Sequence, residues 1–185
     1  MGWARAKFMN IPSSVLFIGR FQPFHKGHEK IISYLLRRYS KITIAIGSAK
    51  EKRTKDNPFS AAERKEMIRT VLRTHAGWKK RVSFAFLADY ASNATWVRAV
   101  CSRFPSSRFA VASANPLVRR LLHGADYSLD PSPLFRRAEW EGKQIRKRIR
   151  GEKFISFFEK DIPPSLRKWM RSKGRKIVFS STSQS

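Results

Sequence analysis

Apolar runs alternate with stretches of helical spacing along most of the chain. Residues 15–19 (VLFIG) form a short apolar run ending in glycine, and Ile31, Ile32, Leu35 and Leu36 then recur on one helical face within residues 27–38. Residues 42–47 (ITIAIG) are β-branched and apolar, the pattern of a strand covered on both faces of a parallel sheet. Strand, turn, helix and strand make one βαβ unit.

The alternation continues downstream. Residues 48–58 (SAKEKRTKDNP) read as a loop, and a helix follows over 60–74. There Ser60 precedes Glu63 at the capping-box spacing, and Met67, Ile68, Val71 and Leu72 supply the stripe. Residues 82–87 read as a third strand, 93–104 as a helix opened by Asn93, and 108–113 as a fourth strand. Asn115-Pro116 then caps and starts another helix. This order predicts an α/β protein with a Rossmann-like, doubly wound parallel sheet and right-handed crossovers. Ligands of such sheets sit beyond the carboxyl ends of the strands, where Gly19, Gly47, Asp89 and Ser113 fall. Beyond Pro133 the pattern turns helical and basic, at 142–150 and 165–171. The expected organisation is an N-terminal extension over 1–13, the main domain over 14–150, and a basic helical C-terminal segment over 151–185 packed on the same domain.

Composition changes this picture mainly through charge. The 185 residues are 42% hydrophobic, enough for a core, yet 39 Lys and Arg face 13 Asp and Glu for a net charge of +26. The basic excess is spread through the chain, and polyanions are the expected partners. One cysteine, Cys101, makes no internal disulfide; its helical neighbours Val97, Val100 and Phe104 mark it as a packed residue. No apolar run approaches the length of a membrane helix, and Ala6 stands where a myristoylation signal places Ser or Thr. A cytoplasmic location is expected, with no membrane partner.

The sharpest chemical feature is Gly19-Arg20-Phe21-Gln22-Pro23-Phe24-His25-Lys26-Gly27-His28, where the first strand turns into the first helix. A phosphate arriving there meets free helix N–H groups, the positive end of a helix dipole, an arginine and two imidazoles. His75 and His123 are the remaining histidines, too few with one cysteine for a tetrahedral zinc site, so no resident metal is expected.

This segment resembles the HxGH signature of the nucleotidylyltransferase superfamily. More of the chain agrees: Ile46-Gly47-Ser48-Ala49, Asn57-Pro58-Phe59-Ser60-Ala61-Ala62-Glu63-Arg64, Asp89 with Asn93 and Trp96, Ser113 through Arg120, and Pro133-Leu134-Phe135 resemble the archaeal type of nicotinamide-nucleotide adenylyltransferase. The resemblance implies the nucleotidylyltransferase fold and the joining of ATP, carried with Mg²⁺, to nicotinamide mononucleotide. It also implies catalytic roles for Arg20, His25, His28 and Arg146, and phosphate binding by Gly19, Phe21, Gly27, Lys143 and Arg119. Asp89, Asn93, Trp96 and Asn115 match the mononucleotide side, where an indole stacks on the nicotinamide ring; by spacing alone, Trp96 also fits an apolar helical stripe. Members of the family commonly form homo-oligomers.

The chain departs from the family in places. The second phosphate motif, usually Ser-Gly-Thr followed by Arg, here reads Glu141-Gly142-Lys143-Gln144-Ile145-Arg146, without hydroxyls. Ala62 and Ala114 replace family glycines, and Lys50 and Arg53 bring anion-binding character to the loop after the second strand. A second reading therefore stands beside the enzyme: a relative that keeps the fold and binds RNA or a ribonucleoprotein particle. Lys147, Arg148, Arg150, Arg167, Lys168 and Arg171 are its contact candidates, with Trp169, Phe154, Phe157 and Phe158 able to stack bases or to pack in a core.

Overall fold

The alternation of faces along the strands decides where everything else goes. In the computed structural model, which describes residues 12–133, 160–174 and 177, β1 (Ser14–Gly19) turns Val15 and Phe17 to one side of the sheet and Leu16 and Ile18 to the other. All four are buried, which is why the run lacks polar alternation. β2 (Lys41–Ile46), β3 (Val82–Phe86) and β4 (Phe109–Ala112) complete a parallel sheet of order β3-β2-β1-β4, with Val15 opposite Ile42 and Ala110. Beyond β4 the chain adds a further pairing. Val111 N donates to Ser128 O at 2.8 Å and Asp130 N to Val111 O at 2.8 Å, around a parallel bridge from Val111 to Leu129.

Helices cover both faces. α1 (Lys26–Arg38) and α2 (Ala61–Leu72) share one cluster with Val15, Phe17, Ile42, Ile44 and Ile46, while α4 (Asn93–Arg103) and α5 (Pro116–His123) pack Val100 and Leu122 on Leu16, Ile18 and Val111. The connection from β3 to β4 therefore changes face and direction, and the crevice between β1 and β4 is the switch point of a doubly wound sheet. Burying each large apolar side chain here contributes about 1.5–3 kcal/mol.

Several details differ from the sequence expectations. A short α3 (Trp78–Arg81) precedes β3, and its Arg81 guanidinium donates to the carbonyls of Leu36 and Tyr39, satisfying the C-terminal end of α1 with a cation. Helix α4 is capped by Ser92, whose Oγ accepts from Thr95 N; Asn93 is instead its first residue and stays exposed. Ser60 does cap α2, with the reciprocal Glu63 bond, and Asn115 caps α5. Cys101 is half-buried against the second cluster.

The described part of the C-terminal stretch, α6 (Pro164–Trp169) and a π-helical turn (Met170–Gly174), packs on α2 and contributes Ile162, Leu166, Trp169 and Met170 to the first cluster. Trp169 is a core residue lying 6.2 Å from the Phe59 ring and offers no stacking platform. Phe154, Phe157 and Phe158 lie outside the described residues, as do residues 1–11 of the N-terminal extension. Among the described residues, no helix is long and apolar enough to cross a membrane.

Candidate active site

At the switch point a cavity of about 510 Å³ opens between the carboxyl ends of β1, β2 and β4. It brings together most of the predicted residues: Gly19, Arg20, Phe21, His25, Gly27 and His28 from the first turn, and Asp89, Asn93, Trp96 and Asn115 from the other rim. Arg119 is not among the lining residues, because its guanidinium donates to Asp130 O at 3.2 Å. Asp130 is buried and accepts from Tyr39 Oη at 2.7 Å, with Arg38 Nε 3.4 Å away, so Arg119 belongs to a structural cluster beside β4. Lys143, Arg146, Lys147, Arg148 and Arg150 lie outside the described residues.

The first turn is built from backbone that most side chains avoid. Phe21 has φ 54°, its ring is buried, and it packs edge-on against Phe17 and His28. That ring is why position 19 carries no side chain: a Cβ on Gly19 would sit 3.0 Å from it. The Gln22 amide then pairs with the Phe59 peptide, donating to its carbonyl at 2.8 Å and accepting from its N–H at 3.1 Å. This fastens the turn to the start of α2.

The two histidines form an unusual helix cap. His25 is the N-cap of α1, and its Nδ1 accepts from Gly27 N at 3.1 Å; His28 Nδ1 accepts from His25 N at 3.3 Å. The arrangement is a capping box made with imidazoles in place of hydroxyl and carboxylate. The rings stack 3.6 Å apart. Burial pushes His25 down to about 3, and burial followed by repulsion from His25 holds His28 well below its ordinary value. Both rings are therefore neutral near pH 7. With Nδ1 occupied as an acceptor, the ring proton of each resides on Nε2, which makes each ring a hydrogen-bond donor at its far edge.

Arg64 holds this turn to the next one. Its side chain is 0% exposed and donates from Nη1 to the carbonyls of Arg20 (2.8 Å) and Gly47 (2.7 Å), from Nη2 to Ser48 (3.0 Å), and from Nε to Ser60 (3.2 Å). Burial, and then the charge of Arg20, push it down to about 10, which leaves it fully charged at neutral pH. Two of its carbonyls immediately precede residues of positive φ, Phe21 and Ser48. The period could have exposed this residue, because Arg64 lies three, four, seven and eight positions before the buried Met67, Ile68, Val71 and Leu72. Tyr90 and Ser48 also line the cavity without having been singled out.

One expectation for the neighbouring loop is corrected. Arg53 makes a two-pronged pair with Glu63, at 2.8 and 2.6 Å, and bonds Pro58 O, so its charge is committed within the protein; Lys50 is exposed. Those bonds from Arg53 hold the Glu63 carboxyl below its usual range. Ala62 and Ala114 have no positive φ, so alanine fits both backbones without strain. On the far rim, Trp96 lines the cavity while packing on the second cluster. Asn115 Oδ1 caps α5 by accepting from Leu117 N at 2.9 Å, directing a second helix N-terminus at the cavity.

A cytidylyltransferase-like family profile matches residues 16–87. The nicotinamide-nucleotide adenylyltransferase of Archaeoglobus fulgidus is 37% identical over 154 residues, covering 81% of this chain and 86% of that protein. Its counterpart in Thermoplasma acidophilum is 41% identical over 150 residues, covering 79% of this chain and 78% of the other. The chain belongs to the nicotinamide-nucleotide adenylyltransferase family. A bifunctional NMN adenylyltransferase/ADP ribose pyrophosphatase from Francisella tularensis, solved with AMP and a manganese ion, shares the fold. Its TM-score is 0.68 at 22% identity, and the match covers 92% of this chain and 53% of that longer one. A nicotinic acid mononucleotide adenylyltransferase from Plasmodium falciparum superposes with a TM-score of 0.53 at 13% identity, covering 85% of this chain and 94% of that one.

Two outcomes follow for this adenylyltransferase-family site. Replacing Arg64 by Lys keeps a charge but cannot reach four carbonyls on three segments. Chemical denaturation should register a loss of about 2–4 kcal/mol, and an unchanged midpoint would show that Arg64 is dispensable to the two turns. The second outcome concerns pH. The folded pKa of His25 lies below its unfolded value, so the unfolded chain binds the extra proton and stability is lost as pH falls below about 6.5. His25 alone should account for about 2 kcal/mol by pH 5, before carboxylates titrate. Denaturation midpoints measured from pH 7 to 5 should decline, and His25→Asn, which retains a capping side chain, should flatten the decline.

Proposed function

We propose that the protein transfers the adenylyl group of ATP to nicotinamide mononucleotide, forming NAD and pyrophosphate. The observation that carries this reading is the neutral imidazole pair at the N-terminus of α1, opening with Arg20 onto the same cavity as Asn93 and Trp96. In this reading the triphosphate lies along the first turn. The Nε2–H groups of His25 and His28, the N-terminal dipole of α1 and the Arg20 guanidinium face its oxygens.

A phosphate oxygen of the mononucleotide attacks the α-phosphorus as the bond to the β-phosphate oxygen breaks, and pyrophosphate leaves with the displaced electron pair. No proton needs to move to or from a protein group, in keeping with rings that stay neutral and donate. Aligning two polyanions and neutralising the charge that builds on the leaving group supply the rate. Asp89 is the one carboxylate among the described cavity-lining residues, which suits a magnesium ion brought in with the nucleotide; the ion would supply positive charge to the phosphates. Trp96 stacks on the nicotinamide ring and Asn93 reads its carboxamide, with Asp89 and Asn115 beside them. Arg146 and Lys143 are assigned to the pyrophosphate side by resemblance to the family's second phosphate motif.

Purified protein supplied with ATP, Mg²⁺ and nicotinamide mononucleotide should yield NAD, detected with a coupled dehydrogenase. His28→Gln should lower kcat/KM by about 10²–10³, the scale of one lost oxyanion donor. The complete absence of product from folded wild-type protein at high concentration would rule the reading out. Trp96→Ala should raise KM for the mononucleotide about tenfold, with KM for ATP little changed, if stacking contributes about 1–1.5 kcal/mol.

A further inference from the structure

The helical layer formed by α1, α2 and α6 carries a charge distribution that the proposed reaction does not use. Its apolar sides are consumed in one cluster: Ile31, Ile32 and Leu35 from α1, Met67, Ile68, Val71 and Leu72 from α2, and Leu166, Trp169 and Met170 from α6 and its π-helical turn. Cations remain on the outside. Arg37 on α1, Arg69 and Arg73 at the end of α2, and Lys168 and Arg171 at α6 are all exposed. Arg69 and Arg73 lie one turn apart on the same helical face. The three helices are joined into one surface, since Lys173 Nζ meets Glu66 Oε1 of α2 at 3.1 Å and Lys26 of α1 donates to Lys160 O ahead of α6.

The carboxylates on these helices do not balance that charge. Glu63 is taken by Arg53, Glu66 by Lys173, and Glu29 sits half-buried in the first turn of α1. α6 and its turn contain no acid at all.

The surroundings decide among anionic partners. A lipid surface is held by apolar side chains projecting among the cations. The large hydrophobic residues exposed among those described are Phe86 (42%), Tyr90 (47%) and Leu117 (39%); only Phe86 borders this layer, at its β3 edge with Lys65 Nζ of α2 lying 5.7 Å from its ring, and a single edge residue makes no apolar face. A protein partner calls for a cluster of aromatic or aliphatic anchors, which Phe86 alone does not supply. Stacked bases need an open aromatic ring; Trp169 is buried against Phe59, and the Phe86 ring at the edge is already faced by Lys65 Nζ. What the layer offers is exposed guanidinium and ammonium groups, within a molecule of net charge +26.

We propose that the outer face of α1, α2 and α6 binds the phosphodiester backbone of nucleic acid without reading its bases. Fluorescence anisotropy with labelled RNA and DNA strands of about 20 nucleotides tests this. Affinity should fall linearly in a log–log plot against salt, with a slope of about −0.7 to −0.9 per phosphate contacted, and should differ little between base compositions. The charge reversal Arg69→Glu, Arg73→Glu, Arg171→Glu should weaken binding at least about tenfold and flatten the slope. An equal reversal on the opposite layer, Arg98→Glu, Arg108→Glu, Arg120→Glu, changes net charge by the same amount and should cost less than about threefold. None of the six residues lines the cavity, so adenylyl transfer by both variants reports on their folding. If either triple variant fails to fold, the matching Arg→Gln sets provide the same comparison. Equal weakening by both sets, a flat salt response, or tighter binding to phosphatidylserine vesicles than to either oligonucleotide would overturn the proposal.

Discussion

A buried guanidinium with four backbone partners is the constraint on which the site depends. Arg64 reaches the carbonyls of Arg20, Gly47, Ser48 and Ser60, so one side chain of α2 holds the ends of β1 and β2 and its own helix start in register. The burial cost of the charge is offset only if every donor finds an acceptor, which forces those carbonyls inward. In a trans peptide the N–H points opposite to the carbonyl, so the N–H groups of Phe21 and Ser48 are turned away from Arg64. The positive φ values of those two residues are the conformational cost of that arrangement, and the surrounding bonds maintain it.

The imidazole capping box follows from the same turn. Because each Nδ1 is spent on a backbone N–H, the protein sets the tautomer of both rings before any ligand arrives. Because both are buried, it also sets their charge. In the proposed reading the groups that meet the triphosphate are thus mostly dipoles, which need little reorganisation as charge shifts along it.

Much of the architecture was legible in the sequence. Runs such as ITIAIG contain no polar alternation because both sheet faces are covered, and the spacing of Ile31, Ile32, Leu35 and Leu36 placed α1 to within a residue of its observed start. The motifs of the site were legible because they cluster at strand ends. What escaped was whatever depended on a partner distant in sequence. Arg64 was quoted in a motif, yet its role requires carbonyls from two strands. Arg119 resembled a site residue until Asp130 claimed it, and Arg53 was read as an anion binder until Glu63 did the same. Trp96 was split between stacking and packing because a cavity wall is also a core surface.

The position of Trp169 has a consequence for the first turn. Its ring rests on Phe59, whose peptide grips Gln22, so the turn between β1 and α1 receives part of its support from a segment far downstream in the sequence. A chain cut after α5 would keep every strand and both histidines, yet it would leave that flank of Phe59 and α2 open to water. Removing α6 should therefore loosen the first turn through Phe59, although no residue of α6 lines the cavity.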